Sequence, residues 1–226
     1  MTEPVREITV GVLYVGPISK IAQIMVASVR QTMPRAKIIQ LTDYATKPVQ
    51  GVHEVIRKRW DGKRLMTYRL LHLEEFPPSN AVFLDADIVV RKDLTSVFDD
   101  EFDVALTRRD ATDLSLGPAV REAMPFNTGV MFSKASGREF WSAAHAAVRA
   151  MPDEHQVWWG DQMAVKKVAD ETSLKVAEFP CALYNYTPTS PDEDLSERYV
   201  VHYKGRERKP WILAHWEGLL TKRARR

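Results

Sequence analysis

The sequence predicts an α/β fold: a mostly parallel central sheet with helices packed against it. Three observations predict it. Apolar, β-branched runs alternate with stretches that carry apolar residues at helical spacing. The runs read as strands buried on both faces, the pattern of a parallel sheet. No internal repeat or low-complexity linker interrupts the 226 residues, so one domain is expected.

Taken in order, Ile8 to Val15 is the first strand, broken by Gly16-Pro17. Ser19 can cap the helix that follows, which places Ile21, Ile24, Met25, Ser28 and Val29 on one face and must end before Pro34. Lys37 to Leu41 is the second strand and Val52 to Ile56 a third. Leu65, Tyr68, Leu71, Leu73 and Phe76 mark a helix closed by Pro77-Pro78. Ala81 to Leu84 is a strand that ends in Asp85-Ala86-Asp87. Val104 to Thr107 and Gly129 to Phe132 are strands, with a loop and a little helix between Arg109 and Pro125. A helix over Gly137 to Met151 presents Phe140, Trp141, Ala144, Ala147 and Val148, and another runs from Gly160-Asp161 to about Val168. Leu174 to Ala177 and Tyr199 to His202 are late strands, and a helix after Pro210 ends in Lys222 to Arg226.

Composition narrows the class. Hydrophobic residues make up 45% and charged residues 27%, which excludes a disordered chain, a collagen-like repeat and a coiled coil. No apolar run is long enough to span a bilayer, and Met1 to Glu7 lacks the layout of a signal peptide. The single cysteine, Cys181, cannot form an internal disulfide, so a reducing cytoplasm is the expected location. The net charge of +2 does not by itself point to nucleic acid.

The sharpest chemical feature is Phe83-Leu84-Asp85-Ala86-Asp87-Ile88. Residues two apart in extended chain point to one side, so the two carboxylates repel each other. A divalent cation relieves that repulsion, and ligand sites of open α/β sheets lie at the carboxyl ends of strands. The plain alternative is a strand exit with two solvated acids. Other chemistries drop out. There is no G-x-G-x-x-G or phosphate loop, no H-E-x-x-H or paired cysteine, and no G-x-S-x-G.

Several polar residues sit inside apolar strings, each with two readings. Asn127, in Phe126-Asn127-Thr128-Gly129 ahead of a strand, binds ligand hydroxyls or makes a turn. Asp161 belongs to a site or caps a helix. Arg69 is by default a solvated helix residue, and His202, alone at a strand end, is by default structural. The six tryptophans could be sugar-stacking platforms, although Trp141 falls on an apolar helical face.

Together and in order, these pieces resemble the family 8 glycosyltransferases, the GT-A-fold group that includes glycogenin and bacterial lipopolysaccharide galactosyltransferases. The matching pieces are Thr67-Tyr68-Arg69-Leu70, Phe83 to Asp87, Phe126 to Val130, Gly160-Asp161-Gln162, and His202-Tyr203-Lys204-Gly205 with Lys209-Pro210-Trp211. The resemblance implies a Rossmann-like α/β/α sandwich over residues 1–226. Its nucleotide-binding half would run to about residue 108 and its acceptor-side half from about 109.

The resemblance also implies roles. Asp85, Asp87 and His202 would hold a divalent metal on the diphosphate of a nucleotide sugar, and a mixed O/N set suits Mn²⁺, with Mg²⁺ the alternative. Lys209 would contact the diphosphate, and Arg69 and Asn127 the donor sugar or phosphates. Ala86 and Gly205 would be further donor contacts. Tyr14 and Val15 would lie by the nucleobase, most simply uracil. Asp161 and Gln162 would line the reacting face of the sugar. Members of the family retain anomeric configuration, either through a carboxylate nucleophile, for which Asp161 is the candidate, or by same-face attack assisted by the leaving phosphate.

Two departures stand out. The family pattern H-x-x-G-x-x-K-P-W is one residue longer here, so Arg208 or Lys209 takes the phosphate role. Met163 follows Gln162 where many members carry a second Asp. The chain is also short for the family and lacks the extended amphipathic C-terminal segment of membrane-associated members.

The acceptor is expected to be a saccharide or lipid-linked hydroxyl. Basic clusters at 57–64, 206–209 and 222–226 add a second option, a hydroxylated DNA base flipped from its stack. A sugar-phosphate nucleotidyltransferase would need a Gly-rich, Arg-containing loop that Val15 to Ser19 does not supply. A non-catalytic binder with a degenerate site is the remaining alternative.

Overall fold

The computed structural model describes residues 7–110 and 117–224. Strand β1 (Ile8–Leu13) is buried along nearly its whole length because it lies mid-sheet. It pairs in parallel with β2 (Lys37–Thr42) on one side and β4 (Asn80–Leu84) on the other. β3 (Glu54–Arg57) extends the parallel set beyond β2. The full sheet has seven strands in the order β3-β2-β1-β4-β7-β6-β8. β7 (Phe126–Ser133) is antiparallel to both β4 and β6 (Val104–Arg108), and β8 (Val176–Pro180) runs parallel to β6. β7 is therefore the one reversed strand, and the sheet is mostly parallel as the sequence predicts.

Alternation along the strands sends side chains to two cores. Val10, Val12, Val82 and Leu84 face α1 (Lys20–Thr32). Phe83, Met131 and Leu106 face the opposite helices α2 (Leu65–Glu74), α4 (Arg138–Arg149) and α6 (Gly160–Glu171). Ser19 caps α1, its side chain accepting from the Ala22 N–H at 3.2 Å. The remaining helices are α3 (Pro118–Ala123), α5 (Asp153–Val157), α7 (Cys181–Tyr184) and α8 (Lys209–Ala224).

A second sheet pairs β5 (Ile88–Val90) with β9 (Val200–His202) in antiparallel register. The Ser28 hydroxyl of α1 accepts from the Val90 N–H at 3.0 Å and ties this small sheet to α1. β5 is absent from the sequence reading because three residues are too few to show a period. α5 and α7, of five and four residues, escape it for the same reason.

Four expectations need correction. β3 covers Glu54–Arg57 rather than 52–56. β1 stops at Leu13, two residues early. β8 covers Val176–Pro180 rather than 174–177. β7 starts at Phe126, so Asn127 is a strand residue and not a turn. Its polar start disguises it, but Asn127 and Thr128 are buried with partners. α3 supplies the little helix expected between Arg109 and Pro125, and residues 111–116 lie outside those described.

Candidate active site

The two aspartates emerge at the carboxyl end of β4 and are pinned from both flanks. Asp85 N–H donates to the Gly129 carbonyl of β7, and Tyr203 N–H donates to the Asp87 carbonyl, each at 2.9 Å. Pairing of β5 with β9 then sets Ile88 opposite His202. The His202 Nε2 lies 3.2 Å from Asp87 Oδ1 and 3.6 Å from Asp85 Oδ2. One ligand atom from each of Asp85, Asp87 and His202 falls within 4.8 Å of the others.

His202 is aimed, not merely present. Its Nδ1 is 2.9 Å from Asn185 Oδ1. The Asn185 amide nitrogen donates to Thr107 Oγ1 at 2.7 Å and to the Asn127 carbonyl at 2.9 Å, which fixes its orientation. An amide oxygen only accepts, so Nδ1 donates to it and Nε2 is the ring nitrogen turned to the acids. Two carboxylates and an imidazole turned toward them fit a divalent cation of the Mn²⁺ or Mg²⁺ kind. His202 packs so closely on β7 that a Cβ at Gly129 would come within 2.4 Å of the ring. Only glycine fits there, which explains its place after Asn127 and Thr128.

Positive groups flank the acids. Lys209, first residue of α8, bonds Asp87 through its Nζ. Burial acts to raise the Asp87 pKa, but His202 and Lys209 outweigh it, and the carboxyl is held below the usual carboxylate range. Asp85 goes the other way: burial raises its pKa against the opposing pull of Arg69 and His202.

Arg69 is no solvated helix residue; it is 7% exposed. Its guanidinium is 3.0 Å from Asp85 Oδ1 and 3.3 Å from Asp161 Oδ2, and it also donates to the Thr128 carbonyl. The Thr128 hydroxyl donates to Asp161 Oδ2 at 2.7 Å. Asp161 is thus a buried carboxylate, 1% exposed, bound by Arg69, Thr128 and the Gln162 N–H, and not the helix cap. The cap is Trp159, in left-handed backbone with φ +67° and ψ −15°, a conformation that costs a non-glycine residue about 1–2 kcal/mol. Gly160 must be glycine, since a Cβ there would lie 2.2 Å from the His155 carbonyl.

A cleft of about 1280 Å³ runs over these groups. Every residue expected at the site lines it: Tyr14, Val15, Arg69, Asp85, Ala86, Asp87, Asn127, Asp161, Gln162, His202, Gly205, Arg208 and Lys209. Asn127 Oδ1 accepts from the Gly129 N–H at 3.0 Å. The Tyr14 hydroxyl is bound locally, accepting from the Ser19 N–H at 3.0 Å and donating to the Pro17 carbonyl, so the ring is its face toward a ligand. Gly205 has φ +82°. Gln162 Oε1 accepts from Arg109 at 2.5 Å. Arg208 turns to backbone, donating to the Pro188 carbonyl at 2.8 Å and the Lys204 carbonyl at 3.2 Å. Of the two candidates left by the lengthened motif, Lys209 is the one that reaches the acids.

Sequence reasoning missed Asn185, Thr128 and Arg109 as parts of this site. Thr128 sits inside the Phe126 to Val130 motif, so its signal was adjacency, whereas Arg109 opens an expected loop and carries none. Asn185 is one amide among aromatic residues and carries no spacing signal. Within the 57–64 cluster, three of the five cations are engaged inside the protein. Arg57 donates to the Asp43 and Thr46 carbonyls, Lys58 pairs with Glu75, and Arg64 pairs with Asp153 at 3.1 Å. Of the terminal cluster, Arg225 and Arg226 and the side chains of Lys222 and Arg223 lie outside the described residues.

The sequence profile of glycosyl transferase family 8 matches residues 21–213. No curated protein matches the chain significantly in sequence. Among solved structures, the glycosyltransferase GlyE of Streptococcus pneumoniae TIGR4 is 18% identical with a TM-score of 0.59, covering 94% of this chain but only 62% of its own. The galactosyltransferase LgtC, solved with donor and acceptor sugar analogues, is 15% identical with a TM-score of 0.59 over 94% of this chain and 95% of its own. A glycosyltransferase involved in glycosylating the major capsid of PBCV-1 is 15% identical with a TM-score of 0.62 over 93% of this chain and 98% of its own. At these identities the likeness establishes the fold.

Proposed function

The chain belongs to glycosyl transferase family 8, and we propose that it moves a sugar from a nucleotide diphosphate sugar, with uridine as the base, to a saccharide hydroxyl. The observation that carries this reading is the meeting of Asp85, Asp87 and His202 within 4.8 Å in the cleft. When bound there, a Mn²⁺ or Mg²⁺ ion neutralises charge on the diphosphate, which matters most as the sugar–phosphate bond breaks.

The chain's own residues do the rest. Lys209 stands beside Asp87 and supplies a fixed positive charge to the leaving group. Arg69 is held by two carboxylates, so its charge is fixed before substrate arrives. The Tyr14 ring offers a face to the base, and Val15, Ala86 and Gly205 shape the wall around it. Asn127 and Gln162 present amides to sugar hydroxyls. Asp161 is buried and already bound by Arg69 and Thr128. That favours same-face attack assisted by the leaving phosphate over a covalent Asp161 intermediate, with retention of configuration in either case. Strands β1 to β4 serve the nucleotide and the later half serves the acceptor.

Saccharide is favoured over DNA because Arg57, Lys58 and Arg64 of the 57–64 cluster are engaged within the protein. Among the described residues no helix is long and apolar enough to cross a membrane. A single cysteine suits a reducing compartment such as the cytoplasm. The test is a screen of nucleotide sugars for Mn²⁺-dependent hydrolysis without acceptor. One UDP-sugar should be hydrolysed, and Asp87→Ala should abolish it. No hydrolysis of any nucleotide sugar would overturn the reading.

A further inference from the structure

Contacts across the cleft follow one order. Lys209 touches Asp87, Asp87 faces His202, Asp85 holds Arg69, and Arg69 holds Asp161. If the diphosphate sits at the first end, the sugar lies toward Asp161 and Gln162, and whatever receives the sugar lies beyond them. What lies next along the chain is a pair of indoles. Trp158 is 58% exposed and Trp159 47%, and both line the cleft.

Exposed paired tryptophans are uncommon on a protein surface without a partner. These two are also held in place. α5, which leads into them, is tied to the start of α2 by Thr67–Gln156 and Arg64–Asp153 bonds, each 3.1 Å. That brings Leu65 and Met66 to the same cleft wall. Gly160 sits against the His155 carbonyl and leaves Trp159 in left-handed backbone, the one non-glycine residue with positive φ among those described. A backbone outlier persists where the surrounding structure insists on it, and such outliers gather at ligand sites. The cleft, at about 1280 Å³, also exceeds the roughly 300–1,000 Å³ that one small ligand fills.

We propose that Trp158 and Trp159 form an aromatic platform that receives the acceptor as a hexopyranose ring, stacked through its apolar C–H face. The proposal rests on the glycosyltransferase reading and names the class of its second substrate. An indole offers a large rigid face at little entropy cost, and a pyranose offers flat C–H area with hydroxyls at its rim. Arg109 and Gln162, joined at 2.5 Å beside the platform, supply the polar contacts for those hydroxyls.

The test uses the full chain with UDP and Mg²⁺ present. It is titrated with the methyl glycosides of glucose, galactose, mannose and N-acetylglucosamine, followed by saturation-transfer difference NMR. At least one hexoside should receive saturation on the ring protons of one face. The signal should fall fivefold or more in Trp158→Ala and in Trp159→Gly, and persist in Trp158→Phe. Glycine is chosen at 159 because it adopts φ +67° without strain, so the local backbone is kept. No hexoside signal in the wild type, or a smaller fall in either variant, overturns the platform. A loss of UDP binding in both variants overturns it too, since the indoles would then serve the whole cleft. Failure of the wild-type chain to bind UDP instead overturns the glycosyltransferase reading.

Discussion

Asn185 Oδ1 lies 2.9 Å from His202 Nδ1, so a buried amide decides which imidazole nitrogen faces the two aspartates. Partners of this kind typically contribute 10–100-fold to metal affinity. Asn185→Ala should therefore weaken Mn²⁺ binding by about 10–100-fold, read by calorimetric titration. Unchanged affinity would show that Asn185 only fills space.

Arg69 bridges Asp85 and Asp161 at 3.0 and 3.3 Å while nearly buried. Removing the cation from such a pair leaves uncompensated buried charge. Arg69→Met should cost roughly 3–5 kcal/mol in urea unfolding and abolish donor hydrolysis. Arg69→Lys should keep part of the stability but little activity, because one ammonium cannot match a planar fork. A loss below about 1 kcal/mol for the methionine variant would contradict a structural role for the bridge.

Gly129→Ala places a methyl 2.4 Å from the His202 ring. Overpacking of this kind costs about 1–3 kcal/mol. Here it should also displace the imidazole and reduce Mn²⁺ affinity more than tenfold. Gly117→Ala, where a Cβ meets nothing within 4 Å, is the matched control and should leave both quantities unchanged.

His72 on α2 is buried with neither ring nitrogen bonded, edge-on to Tyr68 at 4.6 Å. Burial, aided by the charge of Lys58, lowers its pKa from 6.5 to about 3. The unfolded chain therefore takes up this proton first. Stability is fully present above pH 6.5 and is lost as pH falls toward 3, by roughly a few kcal/mol in all. His72→Phe should flatten that part of the pH–stability curve and be at least as stable at pH 7, since two unsatisfied nitrogens are removed. An unchanged slope would assign the acid sensitivity elsewhere.

The layered fold was legible because buried parallel strands leave continuous apolar runs, as Ile8 to Leu13 does. The acids were legible because Asp85 and Asp87 interrupt such a run at its carboxyl end. Long-range partnership left no local trace. Nothing around Arg69 announces that its guanidinium meets an acid 92 positions away. Asn127 looked like a turn residue because polarity beside glycine mimics one, whereas its carbonyl and side chain are both bonded inside the sheet. Asn185 shows the limit most clearly: its three partners come from β6, β7 and β9.

The small β5–β9 sheet has a consequence for synthesis. Ile88 is paired with His202, and Lys209 reaches an aspartate 122 positions earlier. A ribosome adding roughly 5–20 residues per second delivers the imidazole and the ammonium several seconds after the acids. Until then Asp85 has Arg69, made before it, while Asp87 lacks both His202 and Lys209. A nascent polypeptide that stops short of β9 therefore carries the acids without the imidazole and the ammonium that complete the cluster.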